Sequence, residues 1–145
     1  MIIAIDGGAA TGKSTIAKEL SKIINFHHLN SGLIYRAVTY IILKDKILNS
    51  DLNKIENILN DNGFQVEGFN FNIIKYKSYI IKNENLYTQL ITNNISFYSK
   101  NKFIREYVTN IQRNLSKTFN IVCEGRDIGS VVFPEADYKF FIIAN

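Results

Sequence analysis

The chain has 145 residues, 46 % of them apolar, with a net charge of +4 and one cysteine. That size is expected to form one domain with a real core. It contains no run of about 18 apolar residues to cross a membrane, no second cysteine for an internal disulfide, and no block of five or six like charges or aromatic-basic pattern of an RNA binder. The first residues already read as a strand without a basic leader, so no signal peptide is expected, and a cytoplasmic protein fits this pattern.

Ile2-Ile3-Ala4-Ile5 is an unbroken apolar run suited to a buried parallel strand. Residues Gly7, Gly8, Ala9, Ala10, Thr11, Gly12, Lys13 and Ser14 then satisfy G-x-x-x-x-G-K-[ST], the phosphate-binding loop, and Thr15 follows. The glycines let successive backbone N–H groups turn toward one point, and the helix that follows adds positive potential there. Lys13 is placed to reach the outer phosphates of a nucleoside triphosphate and Ser14 to ligate Mg²⁺. Ile16, Ala17, Leu20, Ile23 and Ile24 predict one apolar face on that helix.

Residues 26–32 read as a short strand ending in a polar turn, with Ser31 or Asn30 placed to cap a helix over about 32–43. The adjacent His27 and His28 point different ways along a strand, no third histidine completes a metal site, and both read as structural or surface residues. A helix is expected over 51–62. Residues 64–83 then suggest two or three short antiparallel strands with turns near Gly68 and Lys77-Ser78. Further helices are expected over 86–98 and about 101–117, the second with Ile104, Val108, Ile111 and Leu115 as its buried stripe and Arg105 at the stripe's edge. Phe119–Cys123 reads as a second buried strand. Arg126 and Asp127 follow it, either beside the phosphate loop or paired with each other. Residues 138–144 give a third strand.

The chain uses 13 lysines but four arginines: Arg36, Arg105, Arg113 and Arg126. The guanidinium fork grips phosphate or a base edge bidentately, which lysine cannot copy, so each arginine is a candidate ligand group.

Three blocks resemble bacterial cytidylate kinases: IDGGAATGKST at 5–15, NSGLIYRAV at 30–38 and EGRDIGSVVFPEADYKFFIIAN at 124–145, with a weaker one at 92–116. The resemblance implies an α/β fold, a three-layer P-loop NTPase core with a parallel sheet (about 1–30 and 100–145) and a small monophosphate-binding insert (about 31–99). It implies transfer of the γ-phosphoryl of ATP to CMP or dCMP with Mg²⁺, by a cytoplasmic monomer without nucleic-acid or membrane partners. By the same resemblance Ser31, Arg36 and Arg126 hold the acceptor phosphate, and Ser96, Arg105 and Asp127 recognise cytosine. Gly7–Ser14, with Thr15, bind ATP. Lys13, Arg36 and Arg126 carry the transfer, and Arg113 is structural.

Three positions depart from the family: Asn30 replaces an aspartate, Gly8 a proline, and Tyr87 an arginine, the last predicting one acceptor contact fewer. Family members also continue past position 145 into an arginine-bearing lid. The resemblance therefore predicts no lid here, an exposed apolar sheet face near the third strand, and nucleotide binding with poor turnover. The rival readings are a kinase for another small acceptor, such as UMP or AMP, and an inactive or partner-dependent nucleotide-binding fragment.

Overall fold

The computed structural model describes residues 1–144. The chain divides into two compact units: residues 1–31, 69–71 and 111–145 form the first, and 32–68 and 72–110 the second.

The first unit is an α/β layer structure of P-loop NTPase type. Strands β1 (Ile2–Gly7), β2 (His27–Asn30), β6 (Ile121–Gly125) and β7 (Tyr138–Ile142) make one parallel sheet in the order β2-β6-β1-β7. Parallel strands need both faces covered, which is why β1 and β6 are nearly continuous apolar runs. Ile3, Ile5 and Val122 point to helix α1 (Lys13–Ile24), where they bury Ala17 and pack against Leu20 and Ile24. The opposite face carries Cys123, whose Sγ accepts a hydrogen bond from the buried Gln112 on α6 (Lys102–Ser116). Full burial pushes the Cys123 thiol well above its ordinary pKa, aided by Glu124 and Asp6.

Ile16 and Ile23 do not join the buried face of α1 as their spacing predicts; they are 43 % and 79 % exposed, and Ser21 is buried instead. The strip facing the sheet is narrow, because Ala17 and Ser21 are small and let the helix approach closely; the flanking isoleucines then fall outside it. Similarly, on α6 Ile104, Val108 and Gln112 are buried with Tyr107, while Ile111 and Leu115 are only partly covered. β7 lies at the sheet edge, and Tyr138, Phe140 and Phe141 on it are exposed.

The second unit packs helices around a three-stranded antiparallel meander. α2 (Ser31–Lys44) enters it after Ser31. A 3-10 turn (Asn49–Lys54) and α3 (Ile55–Asp61) replace the single helix expected over 51–62. Strands β3 (Gln65–Glu67), β4 (Ile73–Tyr76) and β5 (Tyr79–Ile81) follow. β4 and β5 are joined by Lys77 and Ser78, both at positive φ (51° and 66°), the two-residue turn that matches strand twist. A short helix α4 (Asn83–Leu86) precedes α5 (Gln89–Ser99), which corresponds to the helix expected over 86–98; Thr88 sets its start by capping it, its hydroxyl accepting the Ile91 N–H. Ile34, Ile41, Ile42, Leu59, Ile74 and Leu86 form the dry centre. Among the described residues, no helix is long and apolar enough to cross a membrane.

Candidate functional site

Because β1, β2 and β6 run parallel, their carboxyl ends share one edge of the first unit's sheet, where open α/β folds place ligands. β1 leads into the glycine loop, β2 into Ser31, and β6 into Arg126 and Asp127. The loop adopts the shape its sequence predicts: Ala10 and Gly12 take positive φ (58° and 81°), and α1 begins at Lys13. No side chain caps α1, so its first N–H groups remain directed at the loop's concave side. Thr11 Oγ1 donates to the Gly8 carbonyl at 2.9 Å and Lys13 Nζ reaches the same oxygen at 3.4 Å, so loop and lysine are held together.

Sequence reasoning missed three polar residues here. Glu124, buried at the end of β6, accepts a hydrogen bond from Ser14 Oγ on one carboxylate oxygen and meets His28 Nε2 with the other. His28, read from the sequence as a structural or surface residue, thus has a partner 96 residues away. His27, by contrast, sits among Phe69, Phe71 and Phe119. Asp6, on β1, accepts from the Ile128 and Gly129 N–H groups at 2.7 and 2.9 Å and so anchors the turn that follows Arg126 and Asp127. Asp6 and Glu124 each end a sheet strand beside the glycine loop, a position that marks them out.

Ser31 opens α2. Ser31 Oγ donates to the Glu124 carbonyl at 2.7 Å, within a buried pocket under Gly125. Asp127 takes positive φ (58°), which aspartate tolerates. The Asp127 carbonyl accepts from both Val131 and Val132, starting a π-helical turn over Ile128–Val132, a form common at functional sites. The alternative pairing of Arg126 with Asp127 is not found; Arg126 is exposed and has no ion-pair or hydrogen-bond partner among the described residues. Arg113 is structural, as expected, donating to the Val132 and Val131 carbonyls at 3.0 and 2.9 Å.

The remaining predicted residues belong to the second unit. Arg36 on α2 donates through Nη1 to the Leu86 carbonyl (3.0 Å) and Thr92 Oγ1 (3.2 Å), and its guanidinium lies 4.5 Å from the Tyr87 ring centre. Ser96 stands one turn beyond Thr92 on the same face of α5. It borders an open hollow of about 620 Å³ with Asn93, Phe97, Lys100 and Asn101. Arg105 is half-buried on α6. A larger hollow of about 740 Å³ near Lys75, Lys77 and Tyr79 contains none of the predicted residues. Its lysines are already engaged, Lys75 with Glu67 and Lys77 with Asp45, each at 2.8 Å.

Sequence comparison agrees with this architecture. The family model described as cytidylate kinase matches residues 3–145. The chain is 41 % identical over 143 residues to a cytidylate kinase of Clostridium botulinum (strain Hall), covering 99 % of this chain and 64 % of that protein. Identity to a cytidylate kinase of Clostridioides difficile (strain 630) is 40 % over 145 residues, covering 100 % and 65 %. With a cytidylate kinase of Fusobacterium nucleatum it is 37 % over 144 residues, covering 99 % and 64 %. The chain belongs to the cytidylate kinase family, and it spans just under two thirds of the length of these relatives.

Proposed function

We propose that the protein is a nucleoside monophosphate kinase that moves the γ-phosphoryl of ATP to CMP or dCMP. The observation that carries this reading is the junction of the glycine loop with Glu124. Backbone N–H groups and Lys13 offer positive potential at the strand ends, and the Ser14 hydroxyl and the Glu124 carboxylate offer hard oxygen donors at the same place.

That donor set fits Mg²⁺, which prefers oxygen and is bound through few protein ligands plus substrate phosphates. Ser14 would be its ligand, with Glu124 orienting the Ser14 hydroxyl. Bound there, the ion supplies neutralising charge for the phosphate chain. The protein's own task is alignment, because phosphoryl transfer asks for little covalent chemistry and much positioning.

In this reading Gly7–Thr15 hold the triphosphate, and Lys13 balances the charge that shifts during transfer. Ser31, Arg36 and Arg126 hold the acceptor's phosphate. Nη1 of Arg36 is committed to Leu86 and Thr92, while its Nε–Nη2 edge makes no hydrogen bond among the described residues; two parallel donors on one edge match two phosphate oxygens. Ser96, Arg105 and Asp127 read cytosine, whose N3 and O2 accept and whose N4 donates. A base lacking those groups would leave polar partners unmatched. The lone buried Cys123 suits a reducing compartment, and the reading takes the enzyme to be a cytoplasmic monomer acting on free nucleotides.

The test is ATP-dependent phosphorylation of CMP, dCMP, UMP and AMP, each offered separately, with and without Mg²⁺. CDP and dCDP formation that requires Mg²⁺ is the expected result. Equal use of UMP or AMP would overturn the cytosine assignment, and absence of transfer to every acceptor would overturn the kinase reading.

A further inference from the structure

Tyr87 is a surface aromatic in an unusual position. It follows Leu86, which is fully buried, and precedes Thr88, whose hydroxyl caps α5. The backbone on both sides is therefore fixed, yet the Tyr87 side chain remains 54 % exposed. No core packing explains the ring. Its contact is the Arg36 guanidinium, 4.5 Å from the ring centre.

Three groups act on that guanidinium. The Leu86 carbonyl and Thr92 Oγ1 take the two N–H groups of Nη1, which fixes the rotation of the planar fork. The Arg36 Cζ lies over the Tyr87 ring, whose electron-rich face attracts the cation and confines the fork beside it. What is left is the Nε–Nη2 edge, with donors that run parallel and are unmatched by described residues. An arginine free in solvent would lose rotamer freedom on gripping an anion; one already clamped loses less.

We propose that Tyr87 is a positioning residue for Arg36, holding its guanidinium plane so that the Nε–Nη2 edge meets the acceptor's phosphate in a bidentate grip. The inference rests on the assignment of Arg36 to that phosphate. It replaces the expectation that tyrosine at 87 merely removes a contact: the ring aligns the arginine that remains.

The experiment compares Tyr87→Leu, Tyr87→Phe, Thr92→Val and Arg36→Ala in the whole chain. Calorimetric titration measures the affinities of CMP, cytidine and ATP. NMR follows the Arg36 Nε–Hε resonance without nucleotide. Tyr87→Leu is expected to weaken CMP by about two- to fivefold, the range of an exposed cation–π contact, with cytidine and ATP unchanged. The upfield ring-current displacement of the Arg36 signal should vanish. Tyr87→Phe should retain both properties, and Thr92→Val, on an exposed helix face, should weaken CMP in the same sense as Tyr87→Leu.

Full CMP affinity in Tyr87→Leu, alongside a tenfold or greater loss in Arg36→Ala, would overturn the role of Tyr87 and leave the Arg36 assignment standing. Full CMP affinity in Arg36→Ala would remove the assignment itself. Equal weakening of CMP and cytidine in Tyr87→Leu would overturn the inference by showing a general disturbance of the unit.

Discussion

Replacing Gly125 by alanine tests the packing beneath the candidate site. A Cβ at that position would stand 2.0 Å from Ser31 Oγ and 3.0 Å from Ile128 Cδ1. Ser31 is 3 % exposed, and its hydroxyl donates to the Glu124 carbonyl at 2.7 Å, so it has no empty volume to enter. The hydroxyl must swing away and leave a buried carbonyl unpaired. Overpacking costs about 1–3 kcal/mol, and the abandoned hydrogen bond about 1–3 kcal/mol more. The expected loss is therefore about 2–6 kcal/mol, or roughly 6–20 °C in Tm for a chain of this size. Urea unfolding followed by far-ultraviolet circular dichroism measures it. The decisive comparison is a cycle with Ser31→Ala, which removes the clashing oxygen. The double variant should be more stable than the sum of the single losses predicts, by about 1–3 kcal/mol. Strict additivity, or a Gly125→Ala protein within about 0.5 kcal/mol of the unaltered one, would refute the steric account.

Other outcomes follow from the same geometry. Asp6→Ala should cost about 2–4 kcal/mol, because the Ile128 and Gly129 N–H groups lose a charged acceptor, and Asp6→Asn should cost less because it keeps one carbonyl oxygen; melting curves of the two variants check the order. Glu124→Gln should weaken Mg²⁺-dependent ATP binding by about 10- to 100-fold while CMP affinity holds, as titrations with and without Mg²⁺ would reveal. Burial raises the Asp45 pKa, but hydrogen bonds from Lys77 and Tyr76, with the nearby lysine charges, outweigh it and leave the carboxyl below its ordinary value of 3.8. Since the folded value is the lower one, its stabilisation is fully present above the unfolded value of 3.8 and is lost as pH falls through the folded pKa. Unfolding measured from pH 5 to pH 2 should therefore show the unaltered protein losing stability relative to Asp45→Asn, and parallel curves would contradict this.

The phosphate loop was legible because its requirements are local. A strand, the GGAATGKS turn and a helix lie contiguous in the chain, and Ala10 and Gly12 adopt the positive φ that such a loop needs. The β4–β5 turn at Lys77-Ser78 was readable for the same reason. Periodicity did less well on α1. It located the helix but assigned Ile16 and Ile23 to a buried face, since spacing cannot say how wide a strip the sheet will cover. The single helix expected over 51–62 proved divided, and the one expected over 86–98 starts at Gln89, after the Thr88 cap.

Family resemblance singled out Ser31, Arg36 and Arg126, but it did not reveal what holds them. The sequence by itself determined the phosphate loop, the strand-helix order around it and the supply of arginines. Tertiary structure alone decided that Ser31 lies under Gly125, that Glu124 joins Ser14 to His28, that Asp6 anchors a turn 122 residues away, and that Tyr87 supports Arg36. Turns and amphipathic faces are written in neighbouring residues. A hydrogen bond across a parallel sheet, or a ring beneath a guanidinium, joins positions with no periodic relation and exists only once the chain has packed.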